Sequence, residues 1–176
     1  MYIDLEGISD EEKLPVKRLE ELGIPFIRLT HSSASTMELC EGIGVEYNAR
    51  HCKNLFLANR SENKFYLLMM DADKPFKTSE VSRKLGSSRL SFGSAEKLRD
   101  VLGLKRGAVS VLGMLNPNAV EAYEKGCLHV AVDRDVLSWE NICVHPNVDT
   151  STLVLRTVDL VKLLNGLGIA FETVDI

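Results

Sequence analysis

The sequence predicts an α+β domain: a mixed β-sheet, or barrel, of about seven to eight strands flanked by helices. Strand-like apolar runs alternate with segments of helical period, yet several strands are joined by short polar turns. Hairpins of that kind argue for a mixed sheet and against a doubly wound parallel one. The 176 residues contain no linker, repeat or low-complexity stretch. Residues 1–176 therefore read as one domain, with 1–24 as an N-terminal helical segment.

The elements follow in order. Ser9-Asp10-Glu11-Glu12 is a capping box, and the helix it starts carries Leu14, Lys17, Arg18 and Leu22 before Gly23 ends it. Phe26 to Thr30 reads as a strand, and Ser35 to Glu41 as a short helix stopped by Gly42 and Gly44. Lys53 to Ala58 and Lys64 to Met70 are two strands of a hairpin around the polar turn 59–63. Helices are predicted over Ser79–Leu85 and from a Ser94 cap through Leu102, each followed by glycine. Ala108 to Leu112 is β-branched and apolar, which predicts a strand; the turn Gly113–Pro117 and a helical stretch Ala119–Glu124 come next. Leu128–Asp133, Asn141–Val144 and Thr152–Arg156 are strands. A Thr157 cap opens a helix over Val158–Leu167, and Ala170–Val174 is the closing strand.

Composition narrows the function classes. Hydrophobic residues make up 45% and charged residues 26%, ordinary for a globular chain. No stretch approaches the roughly 18 apolar residues of a membrane span. The acidic start Met1-Tyr2-Ile3-Asp4-Leu5-Glu6 lacks the basic head of a signal peptide, so a cytoplasmic protein is expected. A net charge of −4 argues against wrapping a long nucleic acid, but not against gripping a few nucleotides at one end. Cys40, Cys52, Cys127 and Cys143 form no C-x-x-C pair and follow no zinc spacing, so free thiols and no metal are expected.

Lys53 is the residue out of place. It heads the apolar run His51-Cys52-Lys53-Asn54-Leu55-Phe56-Leu57-Ala58, where alternation points it the same way as Leu55 and Leu57. A charge there is costly unless an anion meets it, and no acidic residue follows within four positions. Either the lysine snorkels to solvent at the strand end, or the anion belongs to a ligand. Elsewhere the signals are weaker. His31 with Ser32 and Ser33 hints at a hydrolase triad, but no G-x-S-x-G elbow supports it. His51 and Cys52 are adjacent on a strand and face opposite ways, which disfavours a shared ligand sphere. Lys74, Lys77, Arg83, Lys84 and Arg89 read as a solvated basic face or as a rest for a nucleic-acid end.

Three segments taken in order resemble one known family. They are Lys53-Asn54-Leu55-Phe56-Leu57; Arg89-Leu90-Ser91-Phe92 with Gly107-Ala108-Val109-Ser110-Val111-Leu112-Gly113; and His145-Pro146-Asn147-Val148-Asp149-Thr150 running on to Asp159-Leu160. The chain resembles the YbaK/ProX-type trans-editing aminoacyl-tRNA deacylases over about residues 25–176. Within them it is most like the free-standing prolyl-tRNA editing proteins, which clear alanine from tRNA(Pro) and are similar to the insertion domain of bacterial prolyl-tRNA synthetase. The resemblance implies a cofactor-free hydrolase acting on the aminoacyl 3′ end of tRNA(Pro), with prolyl-tRNA synthetase as the partner if it docks to one. Deacylation of another small aminoacyl-tRNA, such as Cys-tRNA, or a catalytically silent tRNA-end-binding module, are the alternatives.

By the same resemblance the essential lysine is Lys53, the G-x-x-x-P loop is Gly113 to Pro117, and the pocket histidine is His145. Asn54, Met37, Met114, Asn116, Asn147 and Thr150 complete the expected substrate contacts. Pro117 with Asn118-Ala119-Val120-Glu121, and Cys143-Val144 before the histidine, depart from the branch's common pattern. The chemistry asks little: an aminoacyl ester is already activated, so the enzyme must hold it, admit water and stabilise an oxyanion. Lys53 suits a phosphate or carbonyl oxygen as a compact point charge, and the Gly113 loop would supply N–H donors. A ribose hydroxyl of the substrate would assist the water. A synthetase built for proline cannot fully reject alanine, since a methylene is worth only about 1–3 kcal/mol. A second site that sieves by size resolves this, with His145, Met37 and the Gly113 loop as its expected walls.

Overall fold

The computed structural model describes residues 7–176, so the acidic start lies outside the described residues. Eight strands form one mixed sheet: β1 (Ile27–Thr30), β2 (Ala49–Asn59), β3 (Phe65–Asp71), β4 (Leu90–Phe92), β5 (Leu128–Asp133), β6 (Asn141–Val144), β7 (Ser151–Arg156) and β8 (Phe171–Val174). Their order is β1-β7-β6-β2-β3-β5-β8, with β4 paired to β2 off this path. The pairings β2–β6, β3–β5 and β5–β8 are parallel and the rest antiparallel. Seven helices flank it: α1 (Asp10–Glu21), α2 (Met37–Cys40), α3 (Thr78–Lys84), α4 (Ala95–Leu102), α5 (Pro117–Glu124), α6 (Arg134–Leu137) and α7 (Thr157–Gly166).

Alternation along β3 shows where the core sits. Phe65, Leu67 and Met69 join the larger hydrophobic cluster, with α1, α4 and α7. Tyr66, Leu68 and Met70 join a smaller cluster with Val81, Leu85 and Leu90 on the other face. All seven β3 residues are buried, as a strand covered on both faces requires. α1 starts at the Ser9–Glu12 capping box, and its Glu12 carboxylate reaches Arg28 Nε at 2.9 Å and the Ser151 hydroxyl at 2.5 Å. That contact ties the helix to β1 and β7.

Three expectations are corrected. Ala108 to Leu112 is not a strand; Val111–Leu115 form a 3-10 segment whose Val111, Leu112 and Met114 are buried. A Cβ on Gly113 would fall 2.6 Å from Leu104 Cδ1, so the chain turns tightly over Leu104 where a strand could not. The eighth strand is instead β4, three residues that sequence periodicity is too short to show. Thr157 does not cap α7: it lies inside the helix with its hydroxyl buried and unpartnered among the described residues, and Arg156 holds the N-cap position.

Candidate active site

β2 is where the sheet changes partners. Its residues 49–51 pair with β6, 52–58 with β3, and 57–59 with β4. The Phe56 carbonyl accepts from Gly93 N–H at 2.9 Å, so Phe56 turns its backbone polar groups away from β3. Backbone groups alternate along an antiparallel strand, so the N–H and C=O of Asn54 turn the same way. No strand of the described residues pairs with Asn54 on that side. A cavity of about 190 Å³ opens there. Its walls are Ala34 to Met37, Cys40, His51 to Leu55, Gly107, Val109, Cys143 and His145.

Lys53, Asn54, Met37 and His145 thus come together from β2, the start of α2 and the segment after β6. Lys53 Nζ donates to the Lys74 carbonyl at 2.9 Å, and among the described residues no carboxylate pairs with it. The Lys74 N–H donates to the Asp71 carbonyl at 3.2 Å, and its Nζ is held by Asp133 at 2.8 Å and Asp135 at 2.7 Å. Asn54 Nδ2 makes only long contacts, 3.4 Å to the Cys52 carbonyl and 3.5 Å to its sulfur, and its Oδ1 is buried without a partner.

His145 Nδ1 lies 3.0 Å from the Ser151 carbonyl and must carry the proton there. Its Nε2 is left as an acceptor, 3.9 Å from Cys40 Sγ. Burial pushes the imidazole below its ordinary pKa, so it is neutral at pH 7. His51 is lowered by burial too, and its Nε2 donates to the Ile43 carbonyl at 3.0 Å. Burial raises the Cys40 thiol and pushes Cys52 and Cys143 up to about 12. The cavity therefore offers neutral thiols, neutral imidazoles and one cation. It suits holding a polar ligand better than attacking one, because a protonated thiol is not a nucleophile.

The structure leaves the other expected contacts outside the cavity. Gly113 and Met114 are buried, and the Gly113 N–H is already spent on the Ser110 carbonyl at 3.0 Å. The oxyanion role expected of that loop therefore lacks both access and a free donor. Asn116 and Asn147 bond each other: Asn147 Nδ2 donates to Asn116 Oδ1 at 3.2 Å, while Asn116 Nδ2 holds the Leu102 carbonyl at 2.8 Å. Thr150 is exposed, and its carbonyl accepts from His31 N–H at 3.0 Å. The His31 imidazole contacts Thr152 Oγ1 at 2.9 Å and the Ser32 carbonyl at 2.7 Å; its nearest serine contact is thus a backbone oxygen, which a triad does not use. The basic residues divide: Lys74 is tied to its aspartates and Lys84 to Glu80 at 3.1 Å, while Lys77, Arg83 and Arg89 are exposed.

Gly107 is one of the wall residues that the sequence did not single out, along with Ser35, Thr36, Cys40 and Val109. Its φ is +87°, and a Cβ there would stand 2.6 Å from Ser35 Cβ. Only glycine lets this turn close against the Ser35–Met37 wall. The available signal was Arg106-Gly107 punctuating the run between Leu104 and Val109.

The chain is similar to known proteins. The profile of the aminoacyl-tRNA editing domain matches residues 30–163. The chain is 31% identical over 167 residues to the prolyl-tRNA editing protein ProX of Acetoanaerobium sticklandii, covering 95% of this chain and 98% of that one. It is 23% identical over 154 residues to the prolyl-tRNA synthetase associated domain-containing protein 1 of Xenopus laevis, covering 85% and 88%. A crystal structure described as a candidate trans-editing enzyme for prolyl-tRNA synthetase superposes with a TM-score of 0.68 at 16% identity, over 97% of this chain and 99% of that one. The protein therefore belongs to the aminoacyl-tRNA editing family, hydrolases that cleave the ester between an amino acid and its tRNA.

Proposed function

We propose that this protein edits mischarged tRNA(Pro), with alanine as the amino acid removed. The observation that carries the reading is Lys53: a half-buried cation on a cavity wall, bonded to a carbonyl and to no carboxylate among the described residues. A ligand that brings a phosphate or a polarised carbonyl completes its coordination. The name of the relative from Acetoanaerobium sticklandii supports prolyl-tRNA as the substrate class.

In this reading the aminoacyl ester lies across the mouth of β2, with Lys53 meeting the phosphate of the terminal nucleotide that carries it. Water attacks the ester carbonyl, and the carbonyl oxygen becomes an oxyanion. The backbone N–H of Asn54, which no strand of the described residues pairs on that side, is the donor available to it at the sheet gap, and removing a donor of this kind typically costs about 10²–10³ in rate. The new C–O bond forms to water, the bond to the ribose oxygen breaks, and the water's proton ends on that oxygen. No wall residue need act as a nucleophile. His145 Nε2, an acceptor, faces the amino-acid end with Met37, and both limit its size.

The test is hydrolysis of Ala-tRNA(Pro) by the wild type and by Lys53→Ala, beside a panel of Pro-, Cys- and Ser-charged tRNAs. Loss of activity on Ala-tRNA(Pro) in the variant, with little turnover of the panel by the wild type, is expected. Equal rates for the two proteins would remove Lys53 from the mechanism. Faster turnover of another cargo would reassign the amino acid.

A further inference from the structure

The face of β2 that carries Lys53 runs on past the cavity. Lys53, Leu55 and Leu57 share it, and Leu55 both lines the cavity and packs on the smaller core cluster beside Phe76. Phe92 of β4 stands opposite Leu57 in the strand register, on that same face. From Lys53 to Leu57 is about 13 Å of strand, at roughly 3.3 Å per residue. Phe92 is 61% exposed, and its ring meets Phe76 with centroids 5.3 Å apart at 49°. Gly93 sets it there: a Cβ at that position would fall 2.4 Å from the Phe56 ring, so glycine lets the end of β4 close on β2.

Lys77 follows Phe76, is exposed and has no ion-pair partner among the described residues. The carboxylates that flank Phe76 in sequence are engaged elsewhere, Asp73 with Arg50 at 3.5 Å and Glu80 with Lys84 at 3.1 Å. An exposed ring backed by a half-buried one, on the strand face that leads from the cavity and with neither Lys53 nor Lys77 in an ion pair among the described residues, suits single-stranded nucleic acid. Rings stack bases while cations track phosphates.

We propose that Phe92, braced by Phe76, is a stacking platform for a base near the 3′ end of the tRNA whose ester enters the cavity. This rests on the deacylase reading for its ligand, but its test does not depend on turnover. The probe is an RNA oligonucleotide ending in CCA with 2-aminopurine as its last base, whose fluorescence is quenched on stacking. Wild type should quench it. Phe92→Ala should bind roughly 5- to 150-fold more weakly, the range of one lost stacking contact. Phe92→Trp should keep binding and quenching, and Phe92→Leu, apolar but without a ring system, should not. On Ala-tRNA(Pro), Phe92→Ala should raise KM more than it lowers kcat.

Binding and quenching by Phe92→Ala equal to wild type would overturn the platform while leaving the deacylase intact. Quenching that depends on Phe92 in a protein without hydrolysis would overturn the deacylase and support the platform. A dimer seen in sedimentation and abolished by Phe92→Ala, with RNA binding unchanged, would assign the rings to a second copy of the chain and overturn the proposal. The exposure of Phe92 keeps these variants folded, which circular dichroism checks.

Discussion

Two charges drawn partly out of water are treated in opposite ways in this molecule. Glu12 is 2% exposed at its side chain and Arg28 7%, and they meet at 2.9 Å. The carboxylate also accepts from the Ser151 hydroxyl and the Ser9 N–H. Burial alone would raise the Glu12 pKa, but these partners outweigh it and hold the carboxyl below its usual range. Lys53, by contrast, has a carbonyl and no counter-ion among the described residues. The first site is complete without a ligand and joins α1 to the sheet. The second is complete only with one. A charge fully paid for by its neighbours marks structure, and one left open beside a cavity marks function.

The largest expected effect lies at the closed site. Glu12→Ala leaves Arg28 buried without its partner, and breaking such a pair costs about 3–5 kcal/mol. Urea unfolding should show an unfolding free energy lower by that amount and a correspondingly lower midpoint, with activity per folded molecule retained. Replacing both partners, Glu12→Met with Arg28→Leu, should recover much of the loss, because no buried charge is then orphaned. A double variant no more stable than the single one would mean that Glu12 contributes chiefly through Ser9 and Ser151.

At the open site the pattern should invert. Lys53→Ala should cost about 10²–10³ in kcat/KM, comparable to losing one transition-state donor. Its unfolding free energy should change by about 1 kcal/mol or less, the net worth of one hydrogen bond to the Lys74 carbonyl. A large stability loss with activity preserved would place Lys53 with Glu12 among the structural charges.

Gly107→Ala probes the wall between these extremes. The residue must keep φ near +87° with its new methyl against Ser35. Left-handed backbone costs an L-residue roughly 1–2 kcal/mol. Gly23, also at positive φ but with nothing within 4 Å of an added Cβ, supplies the control. Gly23→Ala should lose stability only, whereas Gly107→Ala should also lose activity as Ser35 is displaced at the cavity. Equal activities in the two variants would sever the link between Gly107 and the site.

How much of this was legible follows from what each signal depends on. The β2–β3 hairpin, β5 and α4 declare themselves through period and punctuation, which are local. The apolar run at 108–112 deceived because a buried tight turn and a buried strand share a composition. What separates them is Leu104 beneath Gly113, a contact that composition does not contain. Lys53, Asn54 and His145 could be assembled because each lies in a segment that resembles the family, and Met37 was expected only as a wall of the size-sieving site. Gly107 lies in such a segment too, but its place in the wall could not be read, since it rests on Ser35, more than seventy residues earlier in the chain. Asn116 and Asn147 mislead for the converse reason: polar residues in loops near a site look like ligands until their partners, here each other, are seen.

The smallest effect concerns pH, and it separates the two sites by the order in which they titrate. His145 and His51 have folded pKa values lowered, chiefly by burial. The unfolded chain therefore takes up protons first as pH falls through the usual imidazole value of about 6.5. Stability should drop from there down through the lowered folded values, and should be indifferent to these groups above about 6.5. Glu12 is also lowered, so its contribution is full above the ordinary carboxyl range and is lost only as pH falls through its folded value. Two acid steps should thus appear in unfolding free energy against pH, the cavity's histidines first and the α1 joint second. His145→Asn keeps a donor toward the Ser151 carbonyl and removes the titrating ring, so it should shrink the first step alone. Glu12→Gln should shrink the second alone. If His145→Asn leaves the first step whole, the loss below the ordinary imidazole value belongs to His51, and the cavity's imidazoles are not equivalent.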